Sequence, residues 1–258
     1  MDLGIKNKTA LITGGSRGLG LASAISLAKE GVNLVLCARS NEDLKIAEQN
    51  LEKYNVNVTS LVQELSDENS VQNFHKKVKA ESAQIDILVN NVGGSLGTSS
   101  LVKSELKDFQ KVMDINTWVA ISLTKIFVEE MISNGWGRII NIASIYGREH
   151  GGSAPYMAAK AALIAATKHT AIDLAKTGVT ANCIAPGSIK HNKGSWEKFV
   201  DNNKQEVVEK FIEQNLPMGK FGYPEAVGDT VAFLASKNSE MILGTCLNVD
   251  GGQSNSLF

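Results

Sequence analysis

Tyr156 and Lys160 lie four positions apart in a chain of 258 residues, and Ser144 precedes Tyr156 by twelve. On a helix, residues i and i+4 stand one above the other, so a phenol and an ammonium share one face. A free phenol titrates at ~10, too high for ready proton exchange at neutral pH, and a nearby ammonium lowers that value by favouring phenolate. Such a tyrosine can give a proton to a carbonyl oxygen in reduction or take one from an alcohol in oxidation. Ser144 follows the strand-like run 139–143, and its hydroxyl can hydrogen-bond the same oxygen and steady its developing charge. A Tyr–Lys pair at this spacing also occurs on ordinary helix faces, so it needs support from the rest of the chain. Tyr146 is no rival, because the residue four places on is His150.

Support comes first from Thr13-Gly14-Gly15-Ser16-Arg17-Gly18-Leu19-Gly20. Gly14, Gly18 and Gly20 fall between a predicted strand and a predicted helix. There a bare backbone can turn tightly and approach a pyrophosphate, while the helix N-terminus faces the negative charge. The spacing is TGxxxGxG rather than GxGxxG, and a glycine-rich turn alone indicates no more than a turn. Its position between strand and helix predicts dinucleotide binding, with Ser16, Arg17 and Leu19 as further contacts. The second predicted strand ends Cys37-Ala38-Arg39-Ser40, where an NAD enzyme usually carries an acid for the ribose 2′-hydroxyl. Arg17 and Arg39 have the fork geometry to clamp a 2′-phosphate instead. NADP(H) is the expected cofactor and NAD(H) the less favoured one; two plain surface arginines are the alternative. With the Tyr–Lys pair, this predicts a nicotinamide-dependent carbonyl reductase.

The elements that must position these groups read as short apolar runs alternating with amphipathic stretches, the rhythm of a parallel sheet flanked by helices. Strands are predicted at 9–13, 33–38, 58–62, 85–90, 137–143, 179–185 and 246–249. Several are almost wholly apolar, as when both sheet faces are covered. Leu19, Ala22, Ile25 and Ala28 mark one helical face, and Leu106, Phe109, Val112 and Met113 another. The fold class is therefore α/β, a single Rossmann-like doubly wound domain over 1–258 with no linker or internal repeat. Residues 188–215 break the rhythm: the stretch is polar, follows Pro186-Gly187, carries Trp196 and Phe199, and is a candidate substrate lid. Those two aromatics either cap an apolar substrate or anchor the lid on the core.

Composition excludes several classes. With 43% hydrophobic residues, a formal net charge of −1 and scattered Lys and Arg, neither nucleic acid nor a membrane surface is an expected partner. No apolar run approaches the ~18 residues of a membrane span, and the start shows no secretion signal, so a cytoplasmic protein is expected. Cys37, Cys183 and Cys246 are widely spaced and read as structural thiols. His75, His150, His169 and His191 lack metal-site spacing, and no catalytic metal is expected. His150 reads as a solvated loop residue, with a substrate-facing role as the alternative. The charged residues at 42–53 read as a solvated helix face.

In chain order the sequence carries Thr13-Gly14-xxx-Gly18-x-Gly20, Asn90-Asn91-Val92-Gly93, Asn116, Ser144, Tyr156-xxx-Lys160 and Pro186-Gly187. Jointly these motifs, spread over almost the whole length, resemble the short-chain dehydrogenase/reductase family. Within it the chain is most similar to 3-oxoacyl-[acyl-carrier-protein] reductase-like members. The resemblance implies a seven-stranded parallel sheet between two helical layers, assembled as a homotetramer through helices including the one bearing Tyr156. It implies that Asn116 holds a water linking Lys160 to solvent, and that Lys160 also binds the nicotinamide ribose. Asn91 would sit by the adenosine-side ribose, Gly93 would keep its turn compact, and Pro186, Gly187 and Ile189 would line the nicotinamide. Ser40 and Leu65 join the implied cofactor contacts.

Four positions depart from the family's pattern. Val92 replaces an Ala, Glu64 replaces an Asp that contacts adenine, and His191 stands near a customary Thr. The Ser144-to-Tyr156 loop is about one residue short. The substrate class implied is a 3-oxoacyl thioester on acyl carrier protein or CoA. A sugar, polyol or specialised-metabolism ketone is the runner-up, and a non-catalytic dinucleotide-binding regulator the rival from another class.

Overall fold

The computed structural model describes residues 1–81 and 84–257; residues 82, 83 and 258 of the expected domain lie outside the described residues. Seven parallel strands form one sheet: β1 (Thr9–Thr13), β2 (Asn33–Ala38), β3 (Val58–Val62), β4 (Ile87–Asn90), β5 (Gly137–Ile142), β6 (Val179–Pro186) and β7 (Cys246–Val249). Their order is β3-β2-β1-β4-β5-β6-β7. Strand order reverses between β1 and β4, and in open α/β sheets the crevice at such a switch point is where ligands bind.

The near-continuous apolar strands have the predicted cause. Alternate side chains of one strand feed two separate cores: Leu34 and Leu36 of β2 enter one, Val35 and Cys37 the other. The first core is closed by α1 (Gly18–Lys29), α2 (Asn41–Leu51) and α9 (Pro224–Ala235), through Leu27, Leu44 and Val231. The second is closed by α3 (Glu68–Ala80), α5 (Val119–Ser133) and α6 (Ala154–Leu174), through Phe74, Phe127 and Leu174. Four strands match their predicted bounds. β4 starts two residues late because Asp86 is used otherwise: its carboxylate accepts from the Thr9 backbone N–H at 2.9 Å and from Lys8 Nζ at 3.2 Å. β5 ends at Ile142 and β6 runs on to Pro186.

Helix α4 (Leu106–Met113) corrects one expectation. Val112 is buried as predicted, but Leu106, at the first helical position, is 87% exposed. A π-helical turn, Asp114–Trp118, joins α4 to α5. The 188–215 excursion is two helices, α7 (Ser195–Asn202) and α8 (Gln205–Asn215), neither with a fully buried residue. Trp196, Phe199, Phe211 and Phe221 pack on one another with ring centroids 4.9–5.9 Å apart, a small aromatic cluster that gives the excursion its own interior. Among the described residues no helix is long and apolar enough to cross a membrane.

Candidate active site

A cleft of about 1110 Å³ opens at the carboxyl ends of the strands, over the β1–β4 switch point. Its wall begins with the glycine-rich turn. A Cβ on Gly20 would lie 2.2 Å from the Gly14 carbonyl oxygen, so the turn closes this tightly only on glycine. Thr13 and Asn91 stitch the turn to the end of β4. The Thr13 hydroxyl oxygen accepts from the Asn91 and Val92 backbone N–H groups at 2.9 and 3.1 Å. Asn91 Nδ2 donates to the Thr13 and Gly14 carbonyls at 2.9 and 3.2 Å. The Asn91 amide thus holds the turn, while the residue also lines the cleft.

The floor carries the catalytic candidates. β5 ends at Ile142 and delivers Ser144, whose hydroxyl accepts the Tyr146 backbone N–H at 3.2 Å and hydrogen-bonds the Tyr156 phenol. α6 begins just after Ser153 with Pro155 in its first turn, a placement that suits proline because that N–H needs no helical partner. Tyr156 and Lys160 follow in its opening turns, on one face. Lys160 is buried, donates to the Ile142 carbonyl at 2.7 Å, and has its Nζ 5.7 Å from the Tyr156 ring centroid.

Asn116, in the π-helical turn, is locked from both ends. Its Nδ2 donates to the Gly94 and Val112 carbonyls at 2.9 and 2.8 Å, and its Oδ1 accepts from the Gly94 N–H at 3.0 Å. The neighbouring Thr117 hydroxyl donates to the Ala159 carbonyl at 2.8 Å, pinning this turn to α6 beside Lys160. Gly93 is the contact point. A Cβ there would lie 2.4 Å from Asn116 Oδ1 and 3.1 Å from Lys160 Nζ. Gly93→Ala should therefore displace both groups. A stability loss of about 1–3 kcal/mol is expected from overpacking, with turnover down by roughly 10² from misplacement. Thermal melting with a kinetic assay tests it; full turnover in G93A would show that this packing does not position the site.

Burial reshapes both titrations. Desolvation pushes the Tyr156 phenol up; the Ser144 hydrogen bond pulls it back in part, and Tyr146 adds to the rise. That corrects the expectation of a phenol lowered by its lysine: burial sets the direction, and Tyr156 holds its proton at neutral pH. Lys160 is driven down to about 8 by burial, against a smaller opposing pull from Cys183. A protonated phenol beside an amine that titrates near neutrality is an arrangement for donating a proton and replacing it.

Beyond the end of β2, Arg17, Arg39, Ser40, Glu64 and Leu65 all line the cleft. Ser40 also caps α2, accepting the Asp43 N–H at 3.1 Å. Arg39 meets Glu64 at 3.4 Å, a pair largely exposed on both sides. At the other end Pro186, Gly187 and Ile189 form the wall. Ser188 between them has a buried hydroxyl with no hydrogen-bond partner among the described residues. That orphaned hydroxyl and the side-chain-free cradle at Gly14 and Gly20 fit a dinucleotide, whose pyrophosphate the glycine turn would hold and to which Ser188 would offer a hydrogen bond.

Other readings resolve as well. His150 is exposed and does not line the cleft. Trp196 and Phe199 line the cleft and pack into an aromatic cluster with Phe211 and Phe221 rather than into either core beside the sheet. Asp43, read as part of a solvated helix face, turns into the cleft and pairs with Lys193 at 2.9 Å. Ser188, Asp43 and Lys193 were missed because nothing in their local spacing marks them; they meet the cleft through tertiary folding.

A phosphate cradle and a Ser–Tyr–Lys floor in one cleft are the parts of a dinucleotide-dependent oxidoreductase. Residues 14–254 match the family described as enoyl-(acyl carrier protein) reductase. The chain is 37% identical over 250 residues to the 3-oxoacyl-[acyl-carrier-protein] reductase FabG of Rickettsia bellii, covering 96% of this chain and 97% of that one. It is 31% identical over 252 residues to the (2S)-[(R)-hydroxy(phenyl)methyl]succinyl-CoA dehydrogenase subunit BbsD of Thauera aromatica, covering 98% of each. L-sorbose reductase from Gluconobacter frateurii, solved with NADPH and L-sorbose, superposes with a TM-score of 0.89 at 29% identity over 100% of both chains. The chain belongs to the short-chain dehydrogenase/reductase family and, within it, is most similar to 3-oxoacyl-[acyl-carrier-protein] reductase-like members.

Proposed function

We propose that this enzyme reduces a keto group to a secondary alcohol with NADPH, and that its substrate is a 3-oxoacyl thioester borne on acyl carrier protein or CoA. The observation that carries the reaction is the convergence of Ser144, Tyr156 and Lys160 on one cleft floor beneath the glycine-rich turn. NADPH, when bound, supplies the hydride. Ser144 and Tyr156 hold the substrate oxygen between two hydroxyls, and Tyr156 gives it a proton. Lys160, buried and titrating near neutrality, returns a proton toward the phenol. Asn116 keeps the Gly93–Gly94 turn and Lys160 in register. Arg17 and Arg39 take the 2′-phosphate, which supports NADP(H) over NAD(H).

The thioester reading leans on the likeness to the Rickettsia bellii enzyme. A polyhydroxy ketone is the second reading, favoured by the likeness to the sorbose reductase and by the hydroxyls of Ser95, Thr98 and Ser153 in the cleft wall. A homotetramer fits the exposed apolar side chains of Leu106, Trp118 and Ile172 along α4, the π-helical turn and α6, and the cytoplasm is the inferred compartment.

The test follows 340 nm absorbance of NADPH, and of NADH in parallel, against acetoacetyl thioesters, simple ketones, aldehydes and sugars. Thioester turnover with NADPH is the expected result. Turnover of sugars alone would move the substrate to the second reading. Silence across the panel with NADPH bound would leave a carbonyl outside the panel or a regulatory dinucleotide sensor, and would overturn the thioester reading.

A further inference from the structure

The segment between Ile189 and α7 crosses the cleft. His191 rests on the glycine-rich turn: a Cβ on Gly18 would meet its ring Cε1 at 2.7 Å. Two residues on, Lys193 reaches the first turn of α2, with Nζ 2.9 Å from Asp43 Oδ1. Lys193 takes a left-handed backbone, φ 59°, uncommon for a residue with a side chain. Its N–H donates to Glu197 Oε2 of α7 at 2.7 Å, which ties that turn to the lid. The strap thus runs from the nicotinamide wall at Ile189 to the adenosine end beside Arg17 and Arg39.

Charge at that end is finely matched. Arg17, Arg39 and Lys193 face Asp43 and Glu64 across the same cleft. Asp43 is held by Lys193 and Glu64 by Arg39, which leaves Arg17 with no ion pair among the described residues. Without Lys193, Asp43 would present a bare carboxylate to any phosphate bound there, and like charges at close range disfavour binding.

We propose that Lys193 is a cofactor-specificity residue supplied by the lid: it masks Asp43 and adds a third cation beside the 2′-phosphate of NADP(H). The inference rests on the NADP(H) reading above. Because the strap also bears on Gly18 and is tied to Glu197, it joins cofactor recognition at one end of the cleft to the position of α7 at the other.

The test is cofactor binding without substrate, by fluorescence titration of NADPH and NADH, on wild type, Lys193→Met, Asp43→Asn and the double variant. Competition by adenosine 2′,5′-bisphosphate against ADP isolates the 2′-phosphate. K193M is expected to weaken NADPH and the bisphosphate about tenfold or more, and NADH and ADP several-fold less. Adding D43N should recover part of that loss. Equal weakening of both cofactors, or of neither, would overturn the inference while the NADP(H) reading stood. A double variant as weak as K193M would overturn the masking of Asp43. Wild-type protein that bound NADH as tightly as NADPH would fail the cofactor reading first, and the role of Lys193 with it.

Discussion

Tyr156→Phe should cut turnover by roughly 10²–10⁴-fold, the range spanned by loss of a positioned proton donor. The substitution removes one oxygen. The ring remains packed at the start of α6, and Lys160 keeps its bond to the Ile142 carbonyl. NADPH affinity should therefore stay close to wild type, because the cradle at Gly14 and Gly20 and the arginines at the adenosine end are untouched. The pair of measurements matters more than either alone. Lost turnover with retained binding assigns the proton to Tyr156. Lost binding would mean that the ring serves the fold of the cleft. Surviving turnover would move the donor elsewhere, with Tyr146 the nearest phenol, since it too lines the cleft.

The raised Tyr156 titration sharpens this expectation. A raised phenol holds its proton at neutral pH, so in reduction Tyr156 enters as the proton donor and its proton must be replaced after each turnover. The sequence alone had suggested a lowered phenol, because spacing reports that a lysine is near but says nothing of the water both groups lose. Desolvation is a property of the folded cleft, and here it sets the direction of the Tyr156 shift.

The same distinction separates what was legible in the chain from what was not. The central strands were readable because they are buried on two faces, as in the run Leu34-Val35-Leu36-Cys37, whereas β3 and β7 at the sheet edges are only half-buried. The turn at Gly14 to Gly20 and the pair Tyr156 and Lys160 were readable because their chemistry is local, set within a few residues. Leu106 was misread because a helical period identifies a face, not what covers it. The lid's aromatic cluster unites Trp196, Phe199, Phe211 and Phe221 from separate elements within a polar stretch, so no single window shows it. Asp43 and Lys193, 150 positions apart, lie at the far end of that scale.

Lys160→Met carries the other large effect, and it joins activity to stability. Turnover should fall by roughly 10²–10⁴-fold, since the proton relay behind Tyr156 is lost. The fold should respond through the pH dependence of its stability. Burial holds Lys160 at about 8 in the folded protein, against an ordinary value of 10.5. Between those values the unfolded chain binds a proton that the folded one has released, so stability rises with pH across that window. Below about pH 8 the folded state carries a buried ammonium at a disadvantage on the order of 3 kcal/mol. Methionine removes that burden but leaves the Ile142 carbonyl without its donor, a loss of about 1–3 kcal/mol. The two nearly offset at neutral pH, so the informative quantity is the slope. Urea unfolding at pH 7 and pH 9.5 should show wild type gaining on K160M as pH rises. Parallel slopes would mean that Lys160 titrates in the folded protein much as it does in water, and the relay would then need another base.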